Sequence, residues 1–288
     1  MLANPDTVLD LKRKAVEARK LILKSVHTAG AGHIGGPLSA IDILTTLYFK
    51  VLRIDPARPN WEDRDRFVLS KGHSAIALYT TLALRGYFPV EELSTFDAIN
   101  SRLQGHPDMT KLPGLDMSSG SLGQGLSPAL GMALGAKLRG KAFRTYCMLG
   151  DGEIQEGQIW EAAFIAERYA ADNLTAILDY NKLQQYGWTA EIHDKKRRPR
   201  ISIENPGARF AAFGWKVLEI DGHKYAEILD ACEQAKAVKG QPTIIVANTV
   251  KGKGISFMEN DYNWHAKVPN AAELEAAIKE LDAVAVGG

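Results

Sequence analysis

The turn Gly150–Asp151–Gly152, within M-L-G-D-G-E-I-Q-E-G at residues 148–157, decides the fold that we predict for this chain. The largely apolar run Phe143–Leu149 before the turn predicts a buried strand, and Glu153–Ala171 after it is predicted to be helical. Glycines at such a point allow a tight turn and a close approach of the backbone to the phosphates of a ligand. The turn is therefore a candidate phosphate site.

A second polar residue follows the next predicted strand. The run Leu174–Tyr180 predicts that strand, and Asn181 stands at its carboxyl end. Because neighbouring parallel strands end at one edge of a sheet, we expect Asp151 and Asn181 to lie close together. Their oxygens are hard ligands suited to Mg²⁺ or Ca²⁺, whose remaining positions a diphosphate, a backbone carbonyl and water would fill. The alternative is that Asp151 caps a helix and Asn181 begins a turn.

Outward from this turn, predicted strands and helices alternate along the chain. The alternation predicts an α/β fold in which a parallel sheet carries helices on both faces and binds ligands at the carboxyl ends of its strands. Without an internal repeat or a low-complexity linker, residues 1–288 are predicted to form a single domain. The further predicted helices are Asp6–His27 with Asp6 as its cap, Pro37–Val51, one from about His73 to Gly86, one ending near Arg139, Pro206–Phe213, Tyr225–Val238 and one from Ala271; the further predicted strands are Phe67–Ser70, Trp215–Ile220 and Thr243–Val250.

The composition and net charge of the chain indicate what kind of molecule it binds. The chain has 288 residues, 45% of them hydrophobic and 24% charged, which is typical of a globular protein. Its 35 Lys and Arg residues against 34 Asp and Glu residues leave a formal charge of +1, which argues against nucleic-acid binding by bulk charge. A small-molecule substrate is the expected partner.

The cysteines and the charge pattern predict a cytoplasmic protein. Cys147 and Cys232 have neither the number nor the spacing of a disulfide framework or a structural zinc site. The amino terminus lacks the apolar core of a secretory signal, and the longest uncharged stretch, 117–136, is too rich in glycine and serine to cross a membrane. The basic run Lys195–Arg200 is expected to be a solvated loop. The alternative is a contact with a phosphate or an acidic partner, and a nuclear-localisation signal is the least favoured interpretation.

Several stretches of the chain resemble transketolases. The continuation G-D-G-E-I-Q-E-G-Q-I-W-E-A, with N-L-T-A-I-L-D-Y-N at 173–181, is similar to their thiamine-diphosphate signature. The other matching stretches are A-G-A-G-H-I-G-G at 29–36, D-R-F-V-L-S-K-G-H-S at 65–74, G-H-P-D at 105–108, S-G-S-L-G-Q-G at 119–125 and W-H-A-K at 264–267. The resemblance is to the amino-terminal, diphosphate-binding domain, and it implies the corresponding subunit of a split, two-chain transketolase.

This resemblance implies an activity and a set of catalytic residues. A two-carbon ketol unit would pass from a ketose phosphate to an aldose phosphate through thiamine diphosphate, with Mg²⁺ or Ca²⁺ as the metal. His33 and His265 would exchange protons with a substrate hydroxyl and an aldehyde oxygen, His106 would hold the ketol oxygen, and His73 would lie nearer the diphosphate. Imidazoles suit these roles because each can donate or accept a proton near neutral pH.

The resemblance also implies binding residues. Glu156 and Glu161 match acidic residues that face the opposite subunit. The resemblance also implies that Glu156 is a catalytic residue and contacts the cofactor. The ordinary alternative for both is an acidic first turn of a helix. The implied metal ligands are Asp151, Asn181 and the carbonyl of Leu183; the implied cofactor contacts are His73, Gly120, Leu122, Gly150, Asp151, Gly152, Glu156, Asn181 and His265; the implied substrate contacts are His33, His106, Lys251, His265 and Lys267.

The same resemblance implies a partner chain. In the family, the glutamate that acts on the aminopyrimidine and the arginines that bind substrate phosphate belong to a second domain. We therefore expect this chain to be inactive alone and to assemble with a separately encoded pyrimidine-binding chain, with two copies of each.

Two other functions remain open from the sequence. One is a different thiamine-diphosphate enzyme, such as a deoxyxylulose-phosphate synthase or the alpha chain of a ketoacid dehydrogenase. The motifs S-K-G-H-S, G-H-P-D and E-G-x-x-W-E-A favour transketolase over both. The other is a cofactor-binding homologue without catalysis, which the presence of all four motif histidines argues against.

Overall fold

A five-stranded, fully parallel sheet lies at the centre of the part of the chain that the structure, a computed structural model, describes, residues 4–184 and 204–286. The strand order is β1-β2-β3-β5-β4. The predicted α/β class is therefore confirmed, while the basic run Lys195–Arg200 lies outside the described residues. The strands are β1 Arg66–Leu69, β2 Thr145–Gly150, β3 Leu174–Tyr180, β4 Lys216–Asp221 and β5 Thr243–Asn248.

Helices cover both faces of this sheet. One face packs on α1, α2, α3 and α7, and the other on α4, α5 and α6. The helices are α1 Pro5–Ala29, α2 Gly35–Thr46, α3 Ala75–Arg85, α4 Leu126–Leu138, α5 Gly157–Arg168, α6 Pro206–Ala212, α7 Tyr225–Ala237 and α8 Ala271–Val286. None of them, within the described ranges, is long and apolar enough to cross a membrane.

Strand β2 shows why the sheet is buried on both sides. Tyr146 and Met148 join the core on the face of α1 to α3, whereas Cys147 and Leu149 join the core on the face of α4 to α6. Successive side chains of a strand point to opposite faces, so a sheet covered by helices on both faces needs apolar residues at every position. The continuous apolar run in the sequence reflects this double burial.

Most predicted elements agree with the structure to within one or two residues. The predicted helix Pro37–Val51 differs, because α2 ends at Thr46 and a π-helical turn, Leu47–Val51, follows it. The region after β2 differs as well. The predicted helix Glu153–Ala171 begins instead as a short 3-10 turn, Glu153–Gln155. Glu156 then takes an extended conformation, and α5 begins only at Gly157. The predicted cap of the first helix was also wrong, because Asn4, not Asp6, accepts a hydrogen bond from the backbone at the start of α1.

The amino end of β1 is anchored by a buried ion pair. Asp116 accepts two hydrogen bonds from the guanidinium of Arg64, at 2.6 and 3.0 Å, and a third from the backbone N–H of Phe67 at 2.9 Å. Both charged side chains are about nine-tenths buried. The pair therefore connects the first strand to the long segment that precedes α4.

Replacement of Asp116 by alanine is expected to lower the free energy of unfolding by about 3 kcal/mol, because it leaves the Arg64 guanidinium buried without its partner. Urea denaturation monitored by circular dichroism measures this change. Glu62, which pairs with Arg139 and Lys141 and is 67% exposed, provides the control. Glu62→Ala should change the free energy by less than about 0.5 kcal/mol; equal effects of the two substitutions would contradict the assignment.

Candidate functional site

Four histidines lie together beyond the carboxyl ends of the strands. His33 precedes α2, His73 lies in a 3-10 turn after β1, and His265 ends a 3-10 turn before α8. The ring centroid of His33 is 5.1 Å from those of His73 and His265 and 6.2 Å from that of His106. The centroids of His73 and His265 are 5.4 Å apart. Residues far apart in the sequence thus form one imidazole cluster.

Burial favours the neutral form of three of these imidazoles. Burial lowers the pKa of His33, with a smaller effect of the neighbouring His106, and burial lowers the pKa of His73 well below its ordinary value. Burial, followed by the positive charge of Lys251, lowers the pKa of His265 to about 3. A neutral imidazole carries one donor and one acceptor, so the cluster can both give and take protons.

Lys251 determines the tautomer of His265. Its side chain is almost fully buried, and its Nζ contacts the carbonyl oxygen of Leu183 at 2.9 Å and Nδ1 of His265 at 2.8 Å. Because the ammonium donates, Nδ1 of His265 is the acceptor and the ring proton lies on Nε2. Burial lowers the pKa of Lys251 to about 8. Lys251 thus lies between a predicted metal ligand and a predicted catalytic residue.

Asp151 has an oxygen that the rest of the described chain leaves without a partner. The side chain is 4% exposed, and Oδ1 accepts from the N–H of Gly152 at 2.9 Å, while Oδ2 is buried and makes no hydrogen bond. Burial, together with the charge of Asp179, raises the pKa of Asp151 to about 6. A bound cation would satisfy Oδ2 and favour the ionised form.

The other predicted metal ligands follow β3, the strand that pairs with the strand before Asp151. Gly150 pairs with Asp179 across β2 and β3, and Asn181 follows β3. Oδ1 of Asn181 accepts from the N–H of Leu183 at 3.0 Å. Within the described ranges, no group of three or more His, Cys, Asp or Glu side chains could hold a metal, so this set would depend on one carboxylate, one amide and one backbone carbonyl.

Asp179 was not predicted from the sequence as a site residue. It is fully buried near the end of β3. Its carboxylate accepts from the ammonium of Lys71 and from the hydroxyls of Ser39 and Thr249. Burial alone would raise the pKa of Asp179, but Lys71 and the two hydroxyls lower it overall. Lys71 stands in S-K-G-H-S and Asp179 in D-Y-N, so the motifs contained both residues without revealing that they pair.

Glu153 was also missed, because it was counted as the first residue of a helix. It is 1% exposed and accepts from the backbone N–H groups of Gly123 and Gly150, each at 2.9 Å, and from the hydroxyl of Ser70. The same hydroxyl accepts from Gly125 at 3.0 Å. One buried carboxylate therefore holds together the ends of β1 and β2 and the glycine-rich turn before α4.

Gly120 and Leu122 lie in this glycine-rich turn, where Gly120 faces the ring of His106 and Leu122 is half-buried. The structure does not bring every predicted residue to the imidazole cluster. Glu156 and Glu161 are exposed, although Glu156 packs against Gly123. Lys267 is exposed too, pairing with Glu273 at 2.5 Å and lying 4.0 Å from the centroid of the Trp264 ring.

Comparison with known proteins matches residues 11–283 to the family described as "Transketolase, thiamine diphosphate binding domain". A 6-deoxy-6-sulfo-D-fructose transketolase subunit of Clostridium sp. (strain MSTE9) is 46% identical over 274 residues, which are 95% of this chain and 97% of the relative. An apulose-4-phosphate transketolase subunit of Phocaeicola vulgatus is 41% identical over 271 residues, 94% of this chain and 93% of the relative.

Solved structures show the same fold in a longer chain. The crystal structure of the transketolase from Campylobacter jejuni superposes with a TM-score of 0.85 at 33% sequence identity. The superposition covers 94% of this chain but 42% of that one. The chain therefore spans less than half the length of this relative and nearly the whole length of the two subunits above.

Alanine at Gly72 is expected to displace the glycine-rich turn. A Cβ there would lie 2.7 Å from the backbone nitrogen of Gly120 and 2.7 Å from the carbonyl carbon of Ser119, atoms that cannot move aside without shifting the turn. We expect Gly72→Ala to cost about 1–3 kcal/mol of unfolding free energy and to shift the histidine ring signals of His73 and His106 in NMR spectra.

Gly131→Ala is the matched control, because Gly131 lies in α4 and a Cβ added there would meet no atom of another segment within 4 Å. It should be neutral or stabilise the protein by up to about 1 kcal/mol. Unchanged ring signals in the Gly72 variant would contradict the tight packing of the turn against the cluster.

Proposed function

The chain belongs to the transketolase family, and we propose that it is the thiamine-diphosphate-binding subunit of a two-chain enzyme that transfers a two-carbon ketol unit from a ketose to an aldose. The observation that carries this proposal is the clustering of His33, His73, His106 and His265 at the same sheet edge as the unpartnered oxygen of Asp151. Groups that can transfer protons and an oxygen that can bind a cation would thus be combined at this edge of the sheet.

The residues at this edge fit a diphosphate bound with a divalent cation. The orphaned oxygen of Asp151, the amide oxygen of Asn181 and the carbonyl of Leu183 would hold Mg²⁺ or Ca²⁺, and Gly150 and Gly152 would let the backbone approach the diphosphate. Thiamine diphosphate, when bound, supplies the nucleophilic carbon and the electron sink for cleavage of the bond beside the ketose carbonyl. Gly120, Leu122 and His73 would line the cofactor.

The imidazoles supply proton transfer and orientation. His265, with its ring proton on Nε2, can donate to a substrate oxygen while Lys251 holds Nδ1. His33, 5.1 Å from both His73 and His265, can take the proton of a sugar hydroxyl because burial lowers its pKa and favours the neutral ring. His106 would hold the ketol oxygen. Lys267, exposed and two residues after His265, would contact the substrate at the entrance.

A second chain completes the proposed enzyme. The relatives that this chain spans nearly end to end are named as subunits, whereas the single-chain transketolase is more than twice as long. We assign to a separate chain the pyrimidine-binding half and the groups that bind substrate phosphate, with two copies of each chain. Glu156 and Glu161, both exposed here, would face the opposite subunit, and Glu156 would also contact the cofactor. The buried free thiols of Cys147 and Cys232 fit a cytoplasmic enzyme.

Ketol transfer is expected only when this chain is combined with its partner. The assay uses thiamine diphosphate and Mg²⁺ with xylulose 5-phosphate and ribose 5-phosphate, first on this chain alone and then on the co-expressed pair. Two further donors, the sulfofructose and the apulose 4-phosphate that name the relatives, extend the test to other ketoses. Activity of the chain alone would contradict the need for a partner, and a folded, cofactor-loaded pair inactive on every donor would favour the non-catalytic alternative.

Asp151→Asn should abolish metal-dependent cofactor binding by the pair. The substitution keeps the size of the side chain but removes the charge that a divalent cation requires. We expect Mg²⁺ and thiamine diphosphate to raise the thermal midpoint of the wild-type pair and to leave that of the variant unchanged. Asp230→Asn, a change on α7 away from the site, is the control and should retain the full rise. A full rise in the Asp151 variant would remove Asp151 from the metal site.

A further inference from the structure

A second buried polar cluster is centred on α2 and contains none of the four histidines of the imidazole cluster. At its centre is Asp42 of α2, which is 3% exposed. Its two oxygens accept four hydrogen bonds, two from Arg19 at 2.9 and 2.7 Å, one from the hydroxyl of Tyr225 at 2.7 Å and one from Nδ1 of His223 at 2.7 Å. We call Arg19, Asp42, His223 and Tyr225 the Asp42 cluster.

His223 connects this cluster to the backbone after β5. Its Nε2 accepts a hydrogen bond from the N–H of Val250 at 2.8 Å. An acceptor at Nε2 requires the neutral ring with its proton on Nδ1, which is the proton donated to Asp42. Arg19 already balances the charge of the Asp42 carboxylate. Each ring nitrogen of His223 therefore has one definite partner.

The residue that follows Val250 is Lys251, and the cluster holds the chain on both sides of it. His223 binds the N–H of Val250, and Nε of Arg19 donates to the carbonyl of Lys253 at 2.9 Å. Between these points, the N–H of Gly252 donates to the carbonyl of Gly35 at 3.0 Å. These hydrogen bonds leave little conformational freedom to the backbone on which the side chain of Lys251 stands.

We propose that His223 is a positioning residue that, through the amide of Val250, places the ammonium of Lys251 against Nδ1 of His265 and so maintains the His265 tautomer with its proton on Nε2. His223 itself is not a member of the imidazole cluster. The effect on turnover rests on the proposed function, whereas the effect on the Val250 amide and on the His265 ring does not.

A neighbouring cavity makes this effect measurable. A cavity of about 760 Å³ is lined by Arg19, Asp42 and His223 together with residues of the segment 253–259. Because His223 lines this cavity, we expect water to reach the position of its Nε2 when a shorter side chain replaces the imidazole. Loss of the hydrogen bond from Val250 should then appear as faster exchange of its amide hydrogen.

Two substitutions separate the two contacts of His223. His223→Asn keeps a donor near the position of Nδ1 for Asp42 but is too short to reach Val250. Tyr225→Phe is the matched control, because it removes one hydrogen bond from Asp42 and leaves the contact between His223 and Val250 intact. His223→Gln reaches the position of Nε2 with an amide oxygen and tests rescue.

The experiment measures hydrogen exchange of the full chain over residues 249–254 and the ring nitrogen shifts of His265 by NMR. In His223→Asn we expect about tenfold faster exchange of the Val250 amide, equal to the loss of one hydrogen bond, and a mixture of His265 tautomers. Tyr225→Phe should match the wild type in both measurements, and His223→Gln should lie nearer the wild type than His223→Asn. Equal exchange in His223→Asn and Tyr225→Phe, or an unchanged His265 tautomer, would overturn the proposal.

The reconstituted pair provides the readout at the level of activity. In His223→Asn, kcat should fall about tenfold, a larger change than that in the KM for the ketose, because the proton-transfer geometry of Lys251 and His265 is disturbed while the proposed phosphate-binding groups lie on the other chain. Tyr225→Phe should retain wild-type kinetics. If wild-type pairs show no ketol transfer, the proposed function fails while the exchange and tautomer results still decide the role of His223.

Discussion

The buried ion pair between Lys71 and Asp179 is the interaction on which the rest of the site depends. It joins the segment after β1 to the end of β3 and so passes beside the end of β2, where Asp151 lies. Asp179 is one of two causes that raise the pKa of Asp151, so Lys71 also offsets a negative charge that would oppose ionisation there. Removing either partner of such a pair leaves a buried charge, at a cost of about 3–5 kcal/mol.

Two other buried carboxylates join distant segments in the same way as Asp179. Glu153 and Asp42 are buried carboxylates whose oxygens are almost entirely used by N–H and O–H donors from other segments. In parallel sheets the functional residues lie on loops, which lack the regular hydrogen bonds of strands and helices. A buried carboxylate can accept several bonds at once, and each of these three joins segments that are distant from one another in the sequence.

The sequence predicted the α/β class and most elements because the strands are continuous apolar runs and the turns contain glycine. His33, His73, His106 and His265 stand in motifs that resemble those of transketolases, and the structure brings their rings together. The sequence could not show that Glu156 is extended, because that conformation depends on packing against Gly123. Nor could it identify Glu153, Asp179 or His223 as anchors, because their partners are distant in the chain and the residue types alone are compatible with an exposed position.

The distance along the chain between contacting residues has a consequence for biosynthesis. Arg19 of α1 binds the carbonyl of Lys253, which is 234 positions later, and the Lys71–Asp179 pair spans 108 positions. During synthesis, the partner of Arg19 therefore does not exist until almost the entire chain has been made. The imidazole cluster is completed only when His265 has emerged, so a nascent or truncated chain cannot display the assembled site, and ligand loading follows translation.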